Sequence, residues 1–566
     1  MASTPLVIGR DEGGSRQAAR WRAPGSGTLV ALILCLVIAA PLVALLGYAF
    51  QPTGGLWAHL VDTVLGEYLR TSAFLTIGVG AATLSIGAAA AWLVTVYEFP
   101  GRRVLTWALV LPLAMPAYVL AYAYTDFLQV TGPLQTGLRV LTGWSVHDYW
   151  FPNIRSLGGA VFVLSAVLYP YVYVLARAAF AEQSQCAIEV SRTLGCSPFA
   201  AFRRIGLPMA RPAIATGLAF VMMETLADFG AVGYFELRTF TTGIYRAWYA
   251  SGSPAAAAQL ASLLLLLVFG VIALEWAARG RASFAANTTH LFKKQRLHLS
   301  GAKGVAAAIA CALPVLFGFV LPVVVLVWMT ATASDAPDIE RLVELARNTL
   351  TLAGMASVLI VTVAVVALYA VGRVATTPAA KLVRVAAFGY AVPGAVIGVG
   401  ILITVGAADA GLGDLRSWLG FTGHKLVIGG TVAALLYAYL VRFFAVGYNP
   451  LEAGLAKIGP TLGDAARVLG CRPVQSLRRV VLPMLRPSLI SAGLLVLVDV
   501  MKELPATMIL RPFNFDTLAV EAFQLATTER LDGAAAPSLL IMLAGLVPVI
   551  MLCRMLDRGR AASLAH

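Results

Sequence analysis

Long apolar runs dominate this chain, and short polar stretches interrupt them. A helix crossing the ~30 Å apolar layer of a bilayer needs about 20 such residues. Twelve runs reach that length, at roughly 28–50, 71–96, 104–127, 159–180, 212–234, 257–278, 304–330, 348–372, 383–406, 426–448, 487–510 and 537–556. The pattern predicts an all-α polytopic membrane protein with about 12 transmembrane helices. The fourth and tenth runs carry Arg177 and Arg442. Both are expected near cytoplasmic helix ends, where a long side chain can reach the polar interface.

Composition supports this reading. Charged residues make up 12% of the 566 residues, about half the share in a soluble domain. A single soluble core does not grow to this length with so little polar surface. The net charge of +14 is informative through its placement. With the N-terminus inside, inner segments and helix ends hold 30 of the basic residues and outer ones hold 12. That bias predicts both termini in the cytoplasm and assigns the charge to loops, not to nucleic acid. Four arginines precede the first run, but its 23 residues exceed a signal-peptide core, so a retained first helix is expected. The six cysteines form no CxxC pair and the six histidines are scattered. No catalytic cluster or metal spacing is legible.

The polar islands repeat. Residues 189–212 and 464–487 lie 275 positions apart and agree at 12 of 24 positions. Arg70-Thr-Ser aligns with Arg347-Asn-Thr, and Pro116-Ala-Tyr-Val with Pro393-Gly-Ala-Val, at an offset of 277. A repeat of half the chain means a duplicated membrane unit. Six helices return the chain to its starting side, so the halves run parallel. The expected division is a cytoplasmic tail 1–27, a first half 28–285, a linker 286–303, a second half 304–556 and a tail 557–566. Aligning Arg177 with Arg442 makes the lead-in to the second copy about ten residues longer.

Each copy has the residues of a short helix at the cytoplasmic mouth. Gly195 can end the preceding helix at a positive φ. Ser197-Pro198 then reads as N-cap and first helical residue. Phe199, Phe202, Ile205 and Leu207 give an apolar side, Arg203 and Arg204 a basic edge, and Pro208 and Pro212 an end. Such a helix suits a groove on a partner; it also suits lipid headgroups. Two copies with Gly, Pro, Arg-Arg and Leu-Pro in fixed register favour the partner, since lipid contact demands no register.

The spacing Glu189…Gly195…Ile205-x-Leu207-Pro208, with Asp464…Gly470…Val480-x-Leu482-Pro483, resembles the coupling-loop motif of binding-protein-dependent ABC importer permeases. Asp464 and Val480 depart from its Glu and Ile conservatively. The resemblance implies the type I importer permease fold. It implies that Glu189, Gly195, Pro198, Arg203, Arg204, Leu207 and Pro208, with Asp464, Gly470, Pro473, Arg478, Arg479, Leu482 and Pro483, contact two ATPase subunits, expected to be a homodimer. A phosphate loop GxxxxGK[ST] is absent from the chain. It should therefore bind no cofactor and leave ATP to its partners. Glu224-Thr-Leu-Ala-Asp-Phe-Gly230, Thr239–Trp248 and Lys502-Glu-Leu-Pro-Ala-Thr507 resemble the fused, double-length ferric-iron permeases. That likeness implies a bacterial inner-membrane protein fed by a periplasmic or lipid-anchored binding protein. Related fused permeases carry thiamine, polyamines or phosphonates. A secondary transporter without ATP also suits parallel repeats, but it has no ATPase for the paired motif to grip.

The acids inside the membrane repeat too. Glu224 and Asp228 in the fifth run, and Asp499 and Glu503 in the eleventh, stand four apart and are related by 275. Spacing of i, i+4 puts each pair on one helical face. A charge at mid-membrane costs at least about 2.5 kcal/mol on insertion scales, so it should face a cavity or a partner. A pathway lined by four carboxylates suits a hard cation, which prefers oxygen ligands. A protonated state, pairing with Lys502 or Arg246, and capping of kinks near Pro505 are the competing readings.

Overall fold

The computed structural model describes residues 26–182, 195, 197–279, 296–333, 338–371, 377–419, 428–458, 468–471 and 473–564. The expected contacts Glu189 and Asp464 lie outside them. Among the described residues, ten helices are long and apolar enough to span a membrane, or twelve if each of two bent pairs is one span. The rest of the regular structure is short helices and one two-residue strand pair.

Proline marks two of the places where the predicted runs depart from straight spans. The run 104–127 is bent by 95° between Arg102–Ala114 and Ala117–Thr142. Pro112 lies in a tight turn, Leu111–Ala114, and Pro116 follows with extended backbone. Proline lacks an N–H and disfavours helix in the residue before it, so the ladder cannot continue. Pro393 breaks the run 383–406 in the same way, between the turn Phe388–Ala391 and the helix Gly394–Trp418. The runs 212–234 and 487–510 also stop early, at Ala227 and Met501. Short helices restart at Gly230–Tyr234 and Pro505–Leu510.

The repeat is more regular than the arginines suggested. Helices Leu157–Glu182 and Val432–Lys457 have 26 residues each and are offset by 275 throughout. Arg177 is therefore equivalent to Glu452, and Arg442 to Val167, with no longer lead-in. Arg442 lies in the body of its helix and lines the central cavity. The expected snorkelling position does not hold for it.

Two cores interlock the halves. One gathers the spans around Leu75, Tyr169 and Tyr173 with Leu518, Ala535 and Ile541 of the second half. The other gathers Ile360, Tyr439 and Phe444 with Ile38 and Leu264 of the first half. The opening helix Ser26–Tyr48 packs on Pro378–Ala387 and Gly394–Trp418. Each half thus completes its apolar burial on the other, which ties their relative position to the dominant stabilising term. Leu297–His298 pairs in parallel with Tyr97–Glu98, and Glu98 accepts a 2.8 Å bond from Arg102. At the opposite side of the first half, Arg155 makes 2.8 and 3.1 Å bonds to Glu529 of the second. That hydrogen bonding holds the Glu529 carboxyl below its ordinary range.

Candidate functional site: paired loops and a central cavity

Gly195 and Gly470 have φ of +80° and +83°. Only glycine reaches that region without a Cβ penalty. Ser197 Oγ accepts from the Ala200 backbone N–H at 3.2 Å, the N-cap role its position suggested. The helix that follows does not end at Pro208. Pro198–Ala201 passes through a π turn, Phe202–Gly206, into Leu207–Ala227. In the second copy a π turn, Leu477–Val481, precedes Leu482–Met484, and a 67° bend follows before Arg486–Met501. In the first copy a π turn shifts the bonding pattern next to the proline that cannot donate, and the chain continues as helix. Phe202 anchors the first copy, with ring centroids 5.2 Å from Trp92. Arg203, Arg204, Arg478 and Arg479 all remain exposed. Leu207 and Leu482 are half-buried, and Pro208 and Pro483 are exposed. Val468 and Leu469 expose 87% and 82% of their surface just before Gly470. Unpartnered apolar side chains beside a basic edge are the chemistry of a docking surface.

The second feature is a cavity of ≈ 150 Å³ where the two broken helices meet. Glu224, Asp228, Asp499 and Glu503 all line it. Their geometry differs from a shared helical face, because the helices stop before Asp228 and Glu503. Asp228 has extended backbone, and its Oδ2 accepts from the Val232 N–H at 3.0 Å. Glu503 accepts from the N–H groups of Ala506 and Thr507 at 2.9 and 3.0 Å. It also accepts from the Thr507 hydroxyl at 2.5 Å. These two acids cap the restarted helices, where a negative charge meets unpaired N–H groups. Glu224 and Asp499 stay on their helices and face the cavity. Tyr390 donates its hydroxyl to Glu224 at 3.3 Å, and Lys502 pairs with Asp499 at 3.1 Å.

Arg442, Tyr118, Tyr171 and Tyr390 complete the polar lining. Sequence reasoning did not place them there. An arginine ten residues into an apolar helix was the available signal, because an intramembrane charge faces a cavity by default. The tyrosines carried none. Among the described residues, no group of three or more His, Cys, Asp or Glu is arranged to hold a metal ion. The acids are spread around the cavity and engaged elsewhere.

Glycine sets how closely the walls approach. A Cβ on Gly394 would lie 2.5 Å from Arg442 Nη1, 2.8 Å from Glu503 Oε1 and 3.0 Å from Pro505 Cγ. Alanine there must displace the arginine, the capping acid or both. We expect Gly394→Ala to cost about 1–3 kcal/mol as an overpacking change and to cut transport severalfold. Gly406→Ala, which meets nothing within 4 Å among the described residues, should be near neutral. Thermal unfolding in detergent and uptake in proteoliposomes check both, and equal behaviour of the two variants would contradict the close approach.

The chain matches the family described as binding-protein-dependent transport system inner membrane component twice, over residues 81–282 and 377–561. It is similar to an Fe(3+)-transport system permease protein of Haemophilus influenzae, 24% identical over 507 residues, covering 86% of this chain and 90% of the relative. A sulfate transport system permease protein of Salmonella typhimurium is 28% identical over 256 residues, 42% of this chain and 86% of the relative. A molybdenum transport system permease protein of Escherichia coli is 28% identical over 206 residues, 35% of this chain and 86% of the relative. The last two are matched nearly whole by less than half of this chain, as expected of a unit present here twice. With duplicated loops, a helical architecture and matches in both halves, the chain belongs to the inner-membrane components of binding-protein-dependent transport systems, and is the permease subunit of an ABC importer whose ATPase is a separate subunit.

Proposed function

We propose that this permease moves ferric iron, delivered by a periplasmic or lipid-anchored binding protein, through the central cavity. The observation that carries the reading is the convergence of Glu224, Asp228, Asp499 and Glu503, two from each half, on one cavity at the helix breaks. Carboxylate oxygens suit a hard trivalent cation. The spread of these groups suits an ion that passes through and does not stay. The similarity to an Fe(3+)-transport permease over nearly the full length of both chains supports the substrate.

In this reading two copies of one ATPase grip the loops around Gly195 and Gly470. Their contacts are Glu189, Pro198, Arg203, Arg204, Leu207 and Pro208 in one copy. In the other they are Asp464, Pro473, Arg478, Arg479, Leu482 and Pro483. Both termini are cytoplasmic, and the halves 28–285 and 304–556 are joined by a cytoplasmic linker at 286–303. ATP-driven closure of the ATPases moves the loops and switches the cavity between its two sides. The test is ATP hydrolysis by the assembled transporter with its binding protein, measured with ferric iron, thiamine, spermidine and a phosphonate. Ferric iron should stimulate at least severalfold over the others. Stimulation by one of the others alone rejects the substrate assignment.

A further inference from the structure

All four carboxylates of the cavity already have partners: two cap helix ends, one meets Tyr390 and one meets Lys502. The open valences there belong to donors. Arg442 Nε and Nη1 are buried and have no hydrogen-bond partner among the described residues. Among the described residues the Tyr118 hydroxyl is also unpartnered, on a residue only 5% exposed. Both residues line the same cavity. A buried donor without an acceptor forfeits its hydration with no return, and the loss is larger for a charged group. Neither residue belongs to the repeated framework. The equivalent of Arg442 is Val167, and the 277 offset pairs Tyr118 with Ala395. Packing of the repeat therefore does not require an arginine or a tyrosine at these positions.

We propose that Arg442 and Tyr118 form a recognition site for an oxyanion in the central cavity. The proposal rests on the reading of that cavity as the pathway. Guanidinium is a rigid fork of donors that matches the spacing of two oxygens on one centre. The phenol supplies a third, uncharged donor. The carboxylates around the cavity would repel a bare anion, and the two cations Arg442 and Lys502 would repel a bare trivalent ion. A metal that still carries a small oxyanion satisfies both walls: its metal face meets Glu224 and Asp499, and its anion meets Arg442 and Tyr118. A free oxyanion of the same chemistry would use the donor wall alone.

The full chain in lipid nanodiscs, with [14C]oxalate as the probe, tests this by equilibrium dialysis with and without ferric iron. Wild type should retain label in at least one arm. Retention only with iron means that the anion enters as the metal's ligand; retention without iron means that the anion binds free. Arg442→Gln should lower retention at least tenfold and Tyr118→Phe severalfold, whereas Arg442→Lys, which keeps the charge, should hold an intermediate level. Arg486→Gln, on the exposed loop side, should match wild type. No retention in either arm, or equal retention in wild type and Arg442→Gln variants that elute alike, overturns the proposal. Uptake of 55Fe by the complete transporter is read separately. Its absence with intact oxalate retention rejects the ferric reading and leaves the oxyanion site standing.

Discussion

Replacing Gly195 and Gly470 together by valine is expected to abolish stable association with the ATPase and to reduce transport more than tenfold. Each single change should give a partial loss. The reason is conformational. Both residues hold φ near +80°, and among the described residues nothing lies within 4 Å of a Cβ built on either. The penalty within those residues is the left-handed backbone itself, about 1–2 kcal/mol for an ordinary residue and more for a β-branched one. A loop that relieves this strain moves Arg203 and Arg204, or Arg478 and Arg479, out of register with a groove. Asparagine tolerates the same region, so the Gly195→Asn, Gly470→Asn double variant should keep most of the activity. Co-purification with the ATPase and uptake by proteoliposomes measure both. Valine variants that still hold the ATPase, or asparagine variants as defective as valine, would sink the coupling assignment or its backbone cause.

These glycines also show what was legible in the chain. The positive φ at Gly195 and the Ser197 cap follow from residue type and neighbours within four positions, and both are present. The number of spans followed from run length, which depends on the bilayer and not on tertiary detail. Local pattern failed where proline acts with its surroundings. Pro208 looked like a terminator, yet a π turn precedes it and the helix runs on to Ala227, whereas the second copy bends by 67° just after Pro483. Pro116 and Pro393 sit inside apolar runs and still break them. No apolar count separates these outcomes. Arg442 was misplaced for a related reason: matching it to Arg177 by residue type ignored the helix register, which pairs it with Val167. The interlocking of the halves through Ser26–Tyr48 was not readable at all, since an apolar helix face does not say which apolar face it meets.

The four acids carry the second large expectation, and the structure divides what the sequence made equivalent. Glu503→Gln should lower stability by about 1.5–3 kcal/mol, the range for losing hydrogen bonds to a charged group. An amide keeps one acceptor oxygen for a pair of backbone N–H groups and the Thr507 hydroxyl. Asp228→Asn, which weakens the backbone hydrogen bonds from Val232, at 3.0 Å, and Ala231, should also cost stability, about 1–3 kcal/mol. Glu224→Gln with Asp499→Asn should behave in the opposite sense. Their partners are side chains, Tyr390 and Lys502, which can reorient, so thermal stability should change little. Uptake should fall at least tenfold, because these two retain oxygens that face the cavity. Unfolding in detergent and 55Fe uptake, measured on all variants, separate the two pairs. If Glu224→Gln, Asp499→Asn transports normally, the carboxylates do not handle the cargo and the cavity's acids are structural throughout. If Glu503→Gln is as stable as wild type but inactive, its capping bonds are incidental and the acid acts on the cargo directly. The predicted pattern, stability lost at the caps and transport lost at the helix-borne pair, requires the helix breaks at Ala227 and Met501, which position one acid of each half as scaffold and leave the other on its helix, facing the cavity.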